Sequence, residues 1–511
     1  MESFTNNFIT WMAVIAYMVL ILVFVIRGAL KTKNMADYAV GSVHFSPVAV
    51  GLALAASMTS AATFIINPGF IGLYGISGIL SFGIVMPLAI FVSLIVFTKK
   101  FRKYGKSIKA LTMAQWIGNR YNSKHYALFF ALLSLLLISF IVLILVGLTQ
   151  VLSKALDLPV LPVLIGIGVF VFGYMMFGGA NSMVYTNAIQ ALLMLVVAII
   201  LLGSGYEHFS QGVKGFIQKL EAIDPHLSQW TNPTSFLFRD YFEIVFCQAV
   251  IGIAIVCQPH IITKSLLLKS EKEVNQYLLV GILVEMLFFL VVIAGLYARL
   301  AFPQLTINHE SIPMDGLISA YVVQEFPVYV SLILVLGMIS AGLSTLEGLI
   351  QSLSATITAD LIKPVLGTRF FEKENTGREV ITNRLVICTL AAVSMGLSYQ
   401  QLVAPDVSVA IFAQNGVYAY FAAAFIPVLF GMFLDKVPLV APAAASVTAL
   451  AVHFGIYYGR IGGYMQEPVN NPGVAATFAL LSSLALGFFI YLLGRYWKVS
   501  RPALKEQELS A

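Results

Sequence analysis

The feature that most constrains this chain is a succession of long apolar runs with little between them. Runs of membrane-spanning length lie at about 7–26, 46–75, 76–98, 125–153, 158–176, 185–203, 240–262, 275–300, 328–362, 385–400, 405–432, 437–458 and 474–494. About 20 apolar residues are enough for a helix to cross the hydrocarbon core. Backbone N–H and C=O groups find no water there, so each run must close its own hydrogen bonds as a helix. With 59% hydrophobic and only 11% charged residues, no soluble surface can be assembled around such runs. The expectation is an all-α polytopic membrane protein of about 13 transmembrane helices, one transporter-sized unit over 1–511. The longest polar intervals, near 204–238 and 363–383, are read as loops.

Charge sets the orientation. With the N-terminus outside, 24 of the 30 lysines and arginines fall on inner segments, among them Arg27, Lys31, Lys99, Lys100, Arg102, Lys264, Lys269, Arg369, Lys373, Arg384, Lys436 and Arg501. The excess of basic residues marks the cytoplasmic side. An odd number of spans then leaves the C-terminus cytoplasmic. The net charge of +6 follows from this topology, so nucleic acid is not an expected partner. The first run is read as a retained span rather than a signal peptide, because MESFTNN carries no basic residue and no small-residue cleavage site follows. Cys247, Cys257 and Cys388 lie in apolar runs without paired spacing, which suggests neither a disulfide nor a metal cluster.

Parity carries more. Spans two to six (46–203) and seven to eleven (240–432) make two blocks of five. Because five is odd, the second block starts from the opposite side of the membrane, as an inverted repeat requires. Residues 7–26 then form one extra N-terminal helix and 437–494 two extra C-terminal helices.

Polar residues inside the runs need a reason of their own. In 331–362, Gly337, Ala341, Ser344, Thr345, Gly348, Ser352 and Ala355 share one helical stripe. Close packing through small residues explains it, and so does a cation site, since hard cations take oxygen ligands. The run 46–75 carries Ser57, Thr59, Ser60, Thr63 and Asn67 ahead of Pro68 and Gly69. Proline removes a backbone donor, so the sequence places either a kink or a true break at Pro68. In the matching first span of the second block, Pro259 is read as ending the helix, with Lys264 in the inner loop. Gly178 and Gly179 make a tight turn, after which Asn187 and Gln190 enter a helix, and Gln414, Asn415 and Gly416 read as a polar interruption of the eleventh span. Glu285 and Glu347 are intramembrane acids and functional candidates for that reason.

The stretches AASMTSAATFIINPG (55–69), FGGANSMVYTNAIQ (177–190), QPHIITK (258–264) and SAGLSTLEGLIQSLSATITADL (340–361) resemble the sodium/solute symporter family, specifically its sodium/proline- and sodium/pantothenate-like branch. The resemblance covers nearly the whole chain. It implies a leucine-transporter-like five-plus-five inverted repeat with one extra helix before it and two after it. It also implies a transporter rather than an enzyme, one that imports a small organic solute on Na+ by alternating access across the plasma or inner membrane. An amino acid, vitamin or organic acid is favoured over a sugar. Carried over by motif, the sodium ligands fall on Ala55, Met58, Ala341, Ser344 and Thr345. The solute site falls on Thr59, Ser60, Thr63 and Asn67, with Gln414 and Asn415 approaching from the tenth core helix. Many members carry an acid where this chain has Asn187, while Glu347 stands where others have eighth-helix serines. Asn187 and Glu347 form a candidate second cation site, though absence of a second site is the favoured reading. No basic residue lies within the second or third core helix, so no buried clamp for a solute carboxylate is expected there. Proton coupling through Glu347 or Glu285 is the nearest rival. A solute sensor is the more remote one, since residues 495–511 form only a short tail.

Overall fold

The computed structural model describes residues 2–41, 45–108, 110–268, 270–307, 309–367, 376–404, 408–465 and 469–499. Lys109, Lys269, Arg369, Lys373, Arg501 and Lys505 of the charge pattern, residues 405–407 of the eleventh run and the tail beyond Val499 lie outside the described residues. Nearly everything described is helical. Ten helices are long and apolar enough to cross a bilayer, and two helix pairs do so only when each is taken together, bent by 55° and 59°. The shorter apolar helix Val160–Met175 supplies the remaining run.

In chain order the long helices are α1 (Glu2–Ala29), the broken pair α2 (Pro47–Met58) and α3 (Ala62–Tyr74), α4 (Ile76–Lys103), α5 (Lys124–Leu156), α6 (Val160–Met175) and α7 (Ala180–Gly203). The second block holds the broken pair α8 (Phe242–Ile255) and α9 (Pro259–Leu267), α10 (Glu271–Ala301), α11 (Val328–Leu366), α12 (Gly377–Val403) and α13 (Val409–Phe433). Helices α14 (Val440–Gly459) and α15 (Pro472–Val499) follow. The only strands among the described residues are the two-residue pair Thr306–Ile307 and Glu310–Ser311 in the loop after α10.

Local sequence sets the ends of these helices. Ser46 accepts from the Ala49 amide at 3.2 Å and Pro47 occupies the first turn of α2, where its missing N–H costs nothing. Gly75 takes a positive φ of 76° between α3 and α4, and a Cβ there would lie 2.1 Å from the Leu227 carbonyl oxygen. Gly179, at φ 65°, turns the chain from α6 into α7 against Tyr38.

The burial pattern is inverted relative to a soluble domain. Val169 and Ile199 are 63% and 62% exposed on the outer flank, while Asn181, Asn187, Gln190, Glu285, Ser344 and Thr345 are fully buried. Apolar outside with polar inside is stable only with lipid as the outer solvent, so the chain is an integral membrane protein.

The core is drawn together by small residues. A Cβ on Gly337 would meet Val197 of α7 at 2.2 Å, and one on Gly342 would meet Leu148 of α5 at 2.5 Å. Helix α11 is therefore held against α5 and α7 at a distance only glycine permits. On the other side of the bundle Gly51 of α2 abuts the Tyr277 carbonyl of α10. Helix α1 joins the core through Tyr17, whose hydroxyl lies 2.7 Å from Ser340 of α11.

Candidate functional site

The sequence expectation for α2 is corrected in position. The helix ends at Met58, and Thr59 and Ser60 form the non-helical link, eight to nine residues before Pro68. Pro68 sits instead in the first turn of a continuing helix, following wide turns over Ala62–Ile66 that absorb its missing donor. The second correction concerns Pro259. It does not end its span but begins α9, so the first helix of each five-helix block is broken.

The break in α2 frees the last carbonyls of a helix inside the bundle. Thr59 satisfies one of them, donating its backbone N–H at 3.1 Å and also its hydroxyl to the Ala55 carbonyl. The Ala56 carbonyl accepts from the Ser344 hydroxyl at 2.7 Å, and the Ser57 carbonyl from the Thr345 hydroxyl at 3.3 Å. Both hydroxyls also reach the Ala341 carbonyl, at 3.0 and 3.3 Å. Five oxygens from two helices thus converge in a fully buried place: the carbonyls of Ala56, Ser57 and Ala341 and the hydroxyls of Ser344 and Thr345. The negative end of the α2 dipole points at it. Of the five positions expected to hold sodium, Ala341, Ser344 and Thr345 meet here. From α2 the hydroxyls engage the two carbonyls that lie between the expected Ala55 and Met58, those of Ala56 and Ser57. The physical reason is Thr59, which already claims Ala55.

Beside the two breaks lies a pocket enclosing about 780 Å³, part of it open to solvent. Its polar wall is Ser60, Thr63, Asn67, Gln258, His260 and Gln414, and its apolar wall includes Phe82, Met86, Phe140 and Phe289. Met58 contributes its side chain to this wall. Four of the six residues expected to contact solute are therefore here, namely Ser60, Thr63, Asn67 and Gln414. The other two are not. Thr59 is fully buried against Ala55 and does not line the pocket. Asn415 turns the opposite way, donating to the Tyr458 hydroxyl at 2.9 Å and pairing with His453 Nε2 at 2.9 Å, both on α14. Adjacent helical residues point about 100° apart, and the contacts with His453 and Tyr458 hold Asn415 toward α14 while Gln414 lines the pocket. Nor do they interrupt α13, which runs unbroken through them.

Reading Pro259 as a terminus hides Gln258 and His260, which the start of α9 carries into the pocket wall. Both are buried, and Gln258 Oε1 and His260 Nδ1 have no hydrogen-bond partner among the described residues. A break in the first span of one inverted repeat is itself the signal that would have directed attention to its counterpart in the other.

The candidate second cation pair is not in direct contact. Asn187 donates to the Ser57 hydroxyl at 3.0 Å. Glu347 accepts instead from Tyr174 at 2.7 Å, Thr186 at 2.5 Å and Gln190 at 3.1 Å. Lys264, placed in a loop by the sequence reading, is only 2% exposed within α9.

Comparison with known proteins decides what this geometry belongs to. The family model of the sodium:solute symporters matches residues 38–440, spanning both broken helices and α11. The chain belongs to the sodium:solute symporter family. Sodium-coupled import of a solute is the function that membership carries. The sodium/pantothenate symporter of Escherichia coli K12 is 25% identical over 499 residues, covering 96% of each chain. That of Haemophilus influenzae is 25% identical over 461 residues, covering 87% of this chain and 90% of its own. Among solved structures, a Na+-coupled sialic acid symporter in a substrate-bound outward-open state superposes with a TM-score of 0.76 at 14% identity, covering 95% of this chain and 98% of that one. At that identity the likeness speaks for the fold, the leucine-transporter-like five-plus-five arrangement, which the symporter therefore shares.

Proposed function

We propose that this symporter binds one sodium ion between α2 and α11, through the carbonyls of Ala56, Ser57 and Ala341 and the hydroxyls of Ser344 and Thr345. In this reading it carries a small, singly charged or neutral organic solute in the pocket bounded by Ser60, Thr63, Asn67, Gln258, His260 and Gln414. The observation that supports it most is the reach of the Ser344 and Thr345 hydroxyls to two carbonyls of a broken helix. Hydroxyls and carbonyls are the neutral oxygen donors that hard monovalent cations accept. With sodium bound, the same hydroxyls turn their lone pairs to the ion and α2 is tied to α11, which fixes the upstream wall of the pocket.

The solute class follows from the wall. No Asp, Glu, Lys or Arg lines the pocket. A dianion or dication would enter without a counter-charge, at high cost. Amide and hydroxyl groups of a solute would meet Asn67, Gln258 and Gln414, and an apolar portion would lie on Phe82, Phe140 and Phe289. A vitamin-like hydroxy-amide monocarboxylate, the class to which the solute of the pantothenate relatives belongs, fits these requirements. The orientation is N-terminus outside and C-terminus cytoplasmic in the plasma or inner membrane, supported by the basic inner segments.

The mechanism is thermodynamic coupling. Sodium and solute favour the same closed arrangement, and each raises the affinity for the other by the same factor. A tenfold sodium gradient supplies about 1.4 kcal/mol. A potential of 100 mV adds roughly 2.3 kcal/mol per charge. One sodium could thus concentrate a neutral solute by at most about 500-fold, whereas a monoanion moving with one sodium loses the voltage contribution. The test is a thermal-shift screen of purified protein against pantothenate, proline, short monocarboxylates and glucose, with and without NaCl. A sodium-dependent shift with a monocarboxylate supports the assignment, and a shift with glucose alone refutes it.

A further inference from the structure

A second cavity lies far from the solute pocket, at the end of the bundle where α13 stops. There a groove of about 1360 Å³, part of it open to solvent, runs between the end of α13 and the last turns of α15. Its wall includes Phe433, Asp435, Lys436, Tyr491 and Arg495. The loop after α13 rests on α15 at Gly494, where a Cβ would lie 3.5 Å from Pro438 Cγ. Lys100, near the end of α4, closes one edge with its ammonium 5.6 Å from the centre of the Phe433 ring.

The cations of this wall have no protein acceptor. The last carbonyls of α13 are the obvious ones, and Arg120 already takes them. From the end of helix Met113–Arg120 it donates to the Gly431 carbonyl at 2.6 Å and to the Leu434 carbonyl at 2.9 Å. Neither Lys436 nor Arg495 makes a hydrogen bond or ion pair among the described residues. Asp435 is the single acid of the wall, against Lys436 and Arg495 on it and Lys100 and Arg120 beside it. The backbone adds to this. Lys436 holds a φ of 51°, in the left-handed region where glycine or asparagine is the ordinary choice. A lysine is strained in that conformation, and no contact within the fold uses its ammonium.

The flank beside the groove points to what reaches it. Leu492 and Leu493, next in sequence to the wall residues Tyr491 and Gly494, are exposed, as is Val440 at the start of α14. The groove therefore sits where lipid-facing apolar surface gives way to charge, at the level of the phospholipid headgroups. Unpaired ammonium and guanidinium groups at that level match a phosphate, and the exposed apolar side chains match acyl chains. We infer that this groove is a binding site for an anionic phospholipid of the surrounding leaflet. The phosphate lies at Lys436 and Arg495, and the acyl chains run along Leu492, Leu493 and Val440. The bound lipid joins the end of α13, the helix that carries Gln414, to α15. The site is independent of the sodium and solute readings above.

The test follows the unfolding temperature of purified, delipidated full-length protein in dodecyl maltoside as palmitoyl-oleoyl phosphatidylglycerol is added. The matching phosphatidylcholine and sn-glycerol 1-phosphate are titrated separately. Wild type is expected to gain stability saturably with phosphatidylglycerol and with neither of the others. Lys436→Gln/Arg495→Gln is expected to raise the half-saturating concentration roughly tenfold or more. Lys33→Gln/Lys272→Gln removes two exposed basic residues from the same end of the bundle and is expected to leave it unchanged. Lys436→Gly serves should the first pair purify poorly: glycine suits the left-handed turn, so this variant keeps the fold and still weakens the lipid effect. No gain with phosphatidylglycerol, or an equal gain with phosphatidylcholine, overturns the inference. Equal weakening in both double variants overturns it in favour of diffuse surface charge, and an equal gain with glycerol phosphate alone in favour of a soluble-anion site.

Discussion

Removing the Ser344 hydroxyl is the most direct challenge to the sodium site. In Ser344→Ala the ion loses one of five oxygens. A hydrogen bond to a charged group is worth about 1.5–3 kcal/mol, and loss of an ion ligand is taken as comparable. The sodium-free state loses something too, because this hydroxyl bridges Ala56 at 2.7 Å and Ala341 at 3.0 Å. A neutral bridge of this kind contributes about 1 kcal/mol. The difference, about 0.5–2 kcal/mol, raises the sodium concentration for half-saturation roughly 2- to 30-fold. Thr345→Ala is expected to act in the same direction and Thr345→Ser to restore wild-type behaviour, since the hydroxyl returns. By reciprocity the solute affinity at sub-saturating sodium falls by the same factor and recovers at high sodium. The assay is the sodium dependence of solute uptake into proteoliposomes, read beside 22Na+ binding. Unchanged sodium dependence in both alanine variants would refute the geometry from which the figure is built.

Gln414→Ala is expected to weaken solute binding several-fold, while Asn415→Ala leaves it unchanged and instead lowers thermal stability by about 1–3 kcal/mol, because its partners are His453 and Tyr458. Equal effects on solute binding would reverse the assignment of the two faces of α13. Glu347→Gln is expected to keep the sodium:solute ratio while destabilising the fold by about 1–3 kcal/mol, because Tyr174 and Thr186 lose a charged acceptor, measured by flux stoichiometry and thermal unfolding. Gly295→Ala would press a Cβ to within 2.0 Å of the Pro68 carbonyl oxygen and is expected to abolish folding or transport, whereas Gly166→Ala meets nothing within 4 Å and should be silent. Asp315, in the loop before α11, accepts from Ser408 at 3.0 Å, and burial pushes its carboxyl above the ordinary range. A raised acid favours the folded state below its unfolded value and loses that contribution as pH rises through its folded value. Asp315→Asn should therefore flatten the pH dependence of thermal stability across the acidic range.

The apolar runs by themselves determined the class of the molecule and the approximate number of its helices, because a bilayer leaves the backbone one way to satisfy its hydrogen bonds. The Ser344–Thr345 pair was legible for a related reason: adjacent hydroxyls on a small-residue stripe have few purposes in lipid. What sequence could not decide was direction and depth. Thr59 reads as a free hydroxyl until the helix end turns it back onto Ala55, and that shifts the engaged carbonyls to Ala56 and Ser57. Asn415 and Gln414 are neighbours in sequence and point to different helices. Lys264 reads as a loop lysine after a terminating proline, yet the break at Val256–Gln258 carries its turn back into the bundle. Each of these depends on where a helix breaks and which face it presents. Such choices are fixed by packing between residues some 290 positions apart, as Ala56 and Ser344 are, and not by the local chain.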